Sequence, residues 1–169
     1  VLHSAGKFLD GQGRCVGGAI VGRMDLIKPL RAYLRASGIC MSPFNAWVFS
    51  KGIETLQARM NLHEHNARHV YAWLRQQTDV AQLYSNLAAD HANRDDTHRL
   101  QSGHSPIIPI SLHGHRARAR LFITARKLES RSTPVALAPT MITHPASTPY
   151  GRYNVDVTPR TCLPSYFSC

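Results

Sequence analysis

The segment HSAGKFLDGQGR, residues 3–14, places one lysine, Lys7, where covalent chemistry is within its reach. An amine that attacks a carbonyl carbon, and later serves as a base, works best on a rigid turn between small neighbours that let a flat ring lie over the backbone. Ser4, Ala5 and Gly6 give that clearance. Ser4 also offers a hydroxyl and a backbone N–H of the kind that binds a phosphate oxygen. Residue types alone leave a second reading open, a solvated turn lysine, and lysines with perturbed chemistry are the minority.

Other groupings invite chemistry less strongly. His63, His65 and His69 surround Glu64, and His65 and His69 share a helix face at i, i+4. The text HEHNARH is not HExxH, so a polar helix face is the better reading and no metal is expected. In HRARARLF, residues 115–122, Arg116, Arg118 and Arg120 alternate and would line one side of an extended segment along phosphates. Interleaved aromatic platforms are missing there. A hydrated basic edge is therefore expected, and nucleic acid is not, although the formal net charge is +10. Asp95 and Asp96 point about 100° apart on a helix and suit its N-terminus rather than a shared catalytic task. Cys15 beside Arg14 reads as a small buried residue starting a strand in preference to a reactive thiol.

The elements that must position Lys7 follow from the pattern around it. Residues 17–21, GGAIV, read as a buried strand just after the lysine turn. Residues 26–34 read as a short helix despite Pro29, closed by Gly38. Ser42 then caps a helix with Pro43 at its first position, where the missing N–H costs nothing. Apolar residues from Phe44 to Leu74 recur at three and four, predicting one long helix to about Arg75, bent or broken at Gly52 and acting as a spine between two domains. Beyond it the pattern predicts a strand at 81–83, a helical turn at 95–101, a proline-interrupted edge strand at 106–112 and a helix at 117–127. From Ser130 onward Pro, Ser and Thr crowd together, and no fold is assigned.

The totals set outer bounds. With 169 residues and 43% hydrophobic content the chain can build a core of ordinary size. No run approaches the roughly 18 apolar residues of a membrane span, and no leader opens the sequence, so no membrane partner is expected. Cys15, Cys40, Cys162 and Cys169 are scattered without a CxxC pair, which fits a reducing cytoplasm. The chain starts at Val1, inside what reads as a strand, and is expected to be a piece of something longer.

Three blocks carry a resemblance. HSAGKFLDGQGRCVGGAIVG, residues 3–22, resembles the cofactor-lysine segment of the Cys/Met metabolism enzymes of transsulfuration, which depend on pyridoxal 5'-phosphate (PLP). Within that family it is most similar to the O-succinylhomoserine sulfhydrylases, whose text is HSATKYxDGQGRxxGG. SPFNAWVFSKGIETLQARM, residues 42–60, resembles the helix after the lysine. ITHPAST, residues 142–148, resembles a late HPA segment, with LQSG at 100–103 as a shorter landmark.

The resemblance implies an α/β fold of the fold-type I PLP-dependent transferase class, present in part. Residues 1–60 would end the PLP-binding large domain, and 61–169 would form the linking helix and the small C-terminal domain, poorly matched beyond about 84. It implies that Lys7 holds PLP and removes the substrate α-proton, and that Ser4 binds the cofactor phosphate. The implied reaction converts O-succinylhomoserine and sulfide to homocysteine and succinate, a step of methionine biosynthesis. A cystathionine γ-synthase or γ-lyase type of enzyme is the alternative, and a noncatalytic basic remnant binding polyanions is another. The family forms homo-oligomers.

Departures from the family text are specific. Gly6 replaces a threonine that binds phosphate, and Phe8 replaces a tyrosine. SRSTPVA, residues 130–136, stands where SxxxNLG shapes the substrate carboxylate site, and the tail TCLPSYFSC lacks RxSVGxE, so neither Arg152 nor Arg160 inherits that role. The family's ring-stacking aromatic, its aspartate on the pyridine nitrogen and its glycine-rich phosphate cradle fall outside these 169 residues. The chain by itself is expected not to turn over substrate.

Overall fold

A computed structural model describes residues 1–88, 91, 94–125, 130–131, 140–144 and 165–168. The chain divides into two compact units, one from Val1 to Arg59 and one from Met60 onward.

In the first unit, β1 (Leu2–Ser4) runs antiparallel to β2 (Gly18–Ile20), with Leu2 opposite Ile20 and Ser4 opposite Gly18. One wide helical turn, Ala5–Leu9, leaves β1 and carries Lys7. Helix α1 (Met24–Ser37) is longer than its sequence signal, contains Pro29, and ends at Gly38, whose N–H bonds the Leu34 carbonyl at 3.1 Å. None of its residues is buried. Helix α2 (Pro43–Glu54) starts as expected, Ser42 Oγ accepting from the Asn45 N–H at 3.2 Å, and buries Val48, Phe49 and Gly52.

The single long helix of the sequence reading is two helices. α3 (Leu56–Leu74) follows α2 after a break at Thr55, three residues beyond the bend or break expected at Gly52. Gly52 itself stays helical. The cause lies in its carbonyl, which accepts from the Thr55 N–H at 3.4 Å and from the Arg59 guanidinium at 2.7 Å, so the last turn tightens and α2 stops there.

In the second unit a five-stranded sheet has the order β3 (Val80–Leu83), β4 (Ile107–Leu112), β7 (Ser165–Ser168), β6 (Met141–Thr143), β5 (Ser130–Arg131). All pairs are antiparallel except β5 with β6. Two helices, α4 (Arg94–Leu100) and α5 (His115–Thr124), complete it. Ala67 and Leu74, seven apart on one face of α3, pack in a buried cluster with Ile108 and Ile110, which alternate onto one side of β4, and Ile142 of β6.

Strand β4 is interior rather than an edge. Pro109 is tolerated because β3 ends at Leu83. The Pro109 carbonyl takes the Tyr84 N–H at 2.9 Å, so its missing donor faces the position just past the end of β3. The unassigned C-terminal stretch also contributes: Met141, Ile142 and Thr143 are all buried, and β7 pairs on both sides. No helix among the described residues is long and apolar enough to cross a membrane.

Candidate functional site

Strand pairing sets the geometry at the lysine turn. Val1 and Val21 exchange two hydrogen bonds, at 2.6 and 2.9 Å, and the Ala5 N–H bonds the Gly17 carbonyl at 2.9 Å. Antiparallel ladders alternate, so Ser4 occupies a position whose N–H is directed away from β2. Ala5 is buried and anchors the turn. Bonds from the Asp10 N–H to the Ala5 carbonyl, 2.9 Å, and from the Gly11 N–H to the Lys7 carbonyl, 2.7 Å, close it. The helical path is interrupted at Lys7 itself, with φ −96° and ψ −119°. Both side chains singled out in the sequence, Ser4 and Lys7, are exposed.

An amine, a hydroxyl and an outward backbone N–H within four residues are the donor set that a phosphorylated carbonyl cofactor needs, and these residues fit it. Gly6 has a structural counterpart to its missing hydroxyl. A Cβ there would lie 2.5 Å from the Cys15 carbonyl oxygen, so the close approach of these two backbone segments requires glycine.

Beneath the turn lies a polar network. Asp10 is 1% exposed and accepts from the Arg14 N–H at 2.5 Å and from Arg14 Nε at 2.7 Å. Burial opposes its ionisation. The Arg14 N–H, guanidinium and charge, with the Cys15 N–H, outweigh that and hold the carboxyl below its ordinary value. Arg59 donates to the Phe8 carbonyl at 2.8 Å, the Leu9 carbonyl at 3.4 Å, the Gly52 carbonyl at 2.7 Å and Thr55 Oγ1 at 3.1 Å. Burial lowers the proton affinity of this guanidinium, and the Asp10 charge partly restores it. A Cβ on Gly52 would overlap the Leu9 carbonyl oxygen, which makes glycine the residue that lets α2 meet the turn.

Asp10, Gly52 and Arg59 were not singled out for this site from sequence. Asp10 and Arg14 carried a local signal, opposite charges at i, i+4. Arg59 carried none, because its partners Phe8 and Leu9 are about fifty residues away in the chain.

The remaining groupings have ordinary surroundings. The rings of His65 and His69 lie 4.4 Å apart, with His69 Nδ1 2.8 Å from the His65 carbonyl oxygen, while His63 is buried. Among the described residues no three His, Cys, Asp or Glu side chains are gathered to hold a metal. The basic run 115–122 is helical, not extended, so Arg118 and Arg120 project about 200° apart, and Arg118 pairs with Asp79 at 2.7 Å. Asp95 and Asp96 lie in the first turn of α4, as expected. Cys15 is half-buried in the loop before β2 rather than opening the strand. The LQSG landmark docks on α3, where Gly103 meets the Glu64 carboxylate. The Arg68 hydrogen bond, against opposing burial, holds that carboxyl below its ordinary value. Residues 132–136, 145–148, Arg152, Arg160 and most of the tail motif lie outside the described residues.

The family model for Cys/Met metabolism PLP-dependent enzymes matches residues 1–159. An O-succinylhomoserine sulfhydrylase of Pseudomonas aeruginosa is 39% identical over 156 residues, which are 92% of this chain and 39% of the relative. An L-methionine gamma-lyase of Pseudomonas putida is 30% identical over 158 residues, 92% of this chain and 40% of the relative. A crystal structure of cystathionine gamma synthase from Xanthomonas oryzae pv. oryzae matches with a TM-score of 0.90 at 27% identity, covering 99% of this chain and 44% of that one. The α/β, fold-type I reading is borne out by that likeness. The chain spans about two fifths of the length of the curated relatives it matches.

Proposed function

Because the chain belongs to the Cys/Met metabolism PLP-dependent enzyme family, we propose that it is the cofactor-lysine portion of a transsulfuration enzyme, with Lys7 the residue that holds PLP. The observation that carries this reading is the turn itself: an exposed lysine on a backbone anchored by buried Ala5 and Asp10, three residues after an exposed serine with an outward N–H. Ser4 Oγ and its N–H donate to the phosphate. Lys7 Nζ would hold the cofactor and would be the base for the proton on the substrate α-carbon. When bound, PLP supplies the electron sink for the pair left on that carbon.

The substrate assignment that the sequence text supports best is O-succinylhomoserine with sulfide as the nucleophile, giving homocysteine and succinate. The DGQGR text around Asp10 and Arg14 favours it over a γ-synthase or γ-lyase, and the P. aeruginosa relative bears the sulfhydrylase name. A cytoplasmic setting and assembly with further copies of the fold belong to the same proposal. The 169 residues by themselves do not turn over substrate, and homocysteine release by the purified chain would overturn that part.

The test is chemical trapping. Purified chain is mixed with PLP, reduced with borohydride, digested and mapped by mass. The phosphopyridoxyl mass is expected on Lys7 in preference to the other three lysines, Lys28, Lys51 and Lys127, and is expected to vanish from that peptide in Lys7→Ala. Equal labelling of all four, or none at Lys7, removes the chemistry and leaves only common ancestry.

A further inference from the structure

The Arg59 guanidinium gathers three carbonyls, those of Phe8, Leu9 and Gly52, that nothing in the proposed chemistry touches. Two of them directly follow Lys7 in the chain, and the third ends α2. The adjoining surfaces are shaped for the same contact. Gly52 admits the Leu9 carbonyl, and a Cβ on Gly11, where φ is +74°, would overlap the Arg59 guanidinium. A planar fork of fixed N–H donors suits such convergent oxygens in a way that a point charge does not. The charge of Asp10, a buried residue, favours the protonated Arg59 guanidinium, and that of Arg14 opposes it.

We propose that Arg59 is a positioning residue for Lys7, its guanidinium clamping the carbonyl side of the lysine turn to the end of α2 so that the amine is held in place before PLP arrives. This rests on the reading of Lys7 as the cofactor lysine. Ordering the turn in advance removes a conformational penalty from binding, and loss of the clamp transfers that penalty to the cofactor.

The experiment compares wild type, Arg59→Ala and the charge-matched control Arg31→Ala, an exposed residue of α1. Two quantities are read: borohydride-trapped PLP on Lys7 at subsaturating cofactor, and hydrogen exchange at the Asp10 and Gly11 amides, whose bonds close the turn. Arg59→Ala is expected to lower trapping by about tenfold or more, as befits the loss of charge-assisted bonds, and to expose those two amides while the Val21 amide, bonded in the β1–β2 ladder, keeps its protection. Added guanidinium at millimolar concentration is expected to restore trapping in Arg59→Ala and to leave the control unchanged. Trapping and exchange equal to wild type overturn the proposal, as does a general loss of protection that guanidinium does not reverse. Failure of wild type itself to trap PLP at Lys7 instead overturns the cofactor reading, and this assignment with it.

Discussion

Replacing Asp10 by alanine tests whether the lysine turn is held by charge or only by chain connectivity. The carboxylate is 1% exposed and accepts from the Arg14 N–H at 2.5 Å and the Arg14 guanidinium at 2.7 Å, with the Cys15 N–H as a further donor. The Arg14 side chain is 41% exposed and regains water when its partner is lost. The two backbone donors do not regain it so readily. At about 1–3 kcal/mol for each stranded donor, and with both donors only part-buried, Asp10→Ala is expected to destabilise the first unit by about 2–4 kcal/mol. The pH dependence has a definite sign. The folded carboxyl lies below its ordinary value, so its contribution is complete above the unfolded value of about 3.9 and is lost as pH falls through the folded value. Urea unfolding followed by Trp47 fluorescence, in a Trp73→Phe background, reads the unit that contains Asp10. The gap between wild type and Asp10→Ala is expected to be large at pH 7 and to narrow below about pH 4. A gap under about 0.5 kcal/mol at pH 7, well below any of the costs just given, or one that stays constant into acid, would refute the reasoning.

Further outcomes follow from the same contacts. Gly52→Ala gains about 1 kcal/mol of helix propensity but drives a methyl into the Leu9 carbonyl, so net destabilisation and weaker trapping at Lys7 are expected; a stabilised variant in the same urea assay counts against the packing described. Ser42→Ala removes the acceptor for the Asn45 N–H and should cost about 1 kcal/mol, read as a lower urea midpoint at unchanged slope. Leu74→Ala empties a fully buried position of the second unit and should cost about 2–5 kcal/mol, measured by calorimetry. Gly6→Thr restores the family side chain but must displace the Cys15 carbonyl, so reduced rather than improved PLP trapping is expected at a fixed cofactor concentration.

Much of the first unit was legible because its signals are local. Ser42 and Pro43 announce a helix start, Gly38 a helix end, and GGAIV a strand, since capping, left-handed backbone and β-branching act within a few residues, although β2 at Gly18–Ile20 is largely exposed and not the buried strand expected. The lysine turn was legible through the text around it. The site of the helix break was not, because Gly52 looks flexible in sequence while its actual role is to admit a distant carbonyl.

In the second unit local composition misled. Pro109 argued for an edge strand, and the Pro, Ser and Thr content after Ser130 argued against any strand, yet β4, β6 and β7 pair side by side. Strand pairing is a non-local interaction, and the partner that completes a ladder cannot be read from the strand that needs it. The helix expected at 117–127 is present as α5, and with it the extended reading of the arginines in 115–122 falls.

By itself, then, the sequence determined the family, the turn that carries Lys7, the close of α1 at Gly38 and the start of α2 at Ser42 and Pro43, because residue identity and short-range backbone preference are enough for these. Tertiary structure alone decided what holds that lysine: Arg59 and Gly52 meet the turn across about fifty residues, and only the folded chain brings carbonyls so far apart in sequence to one guanidinium.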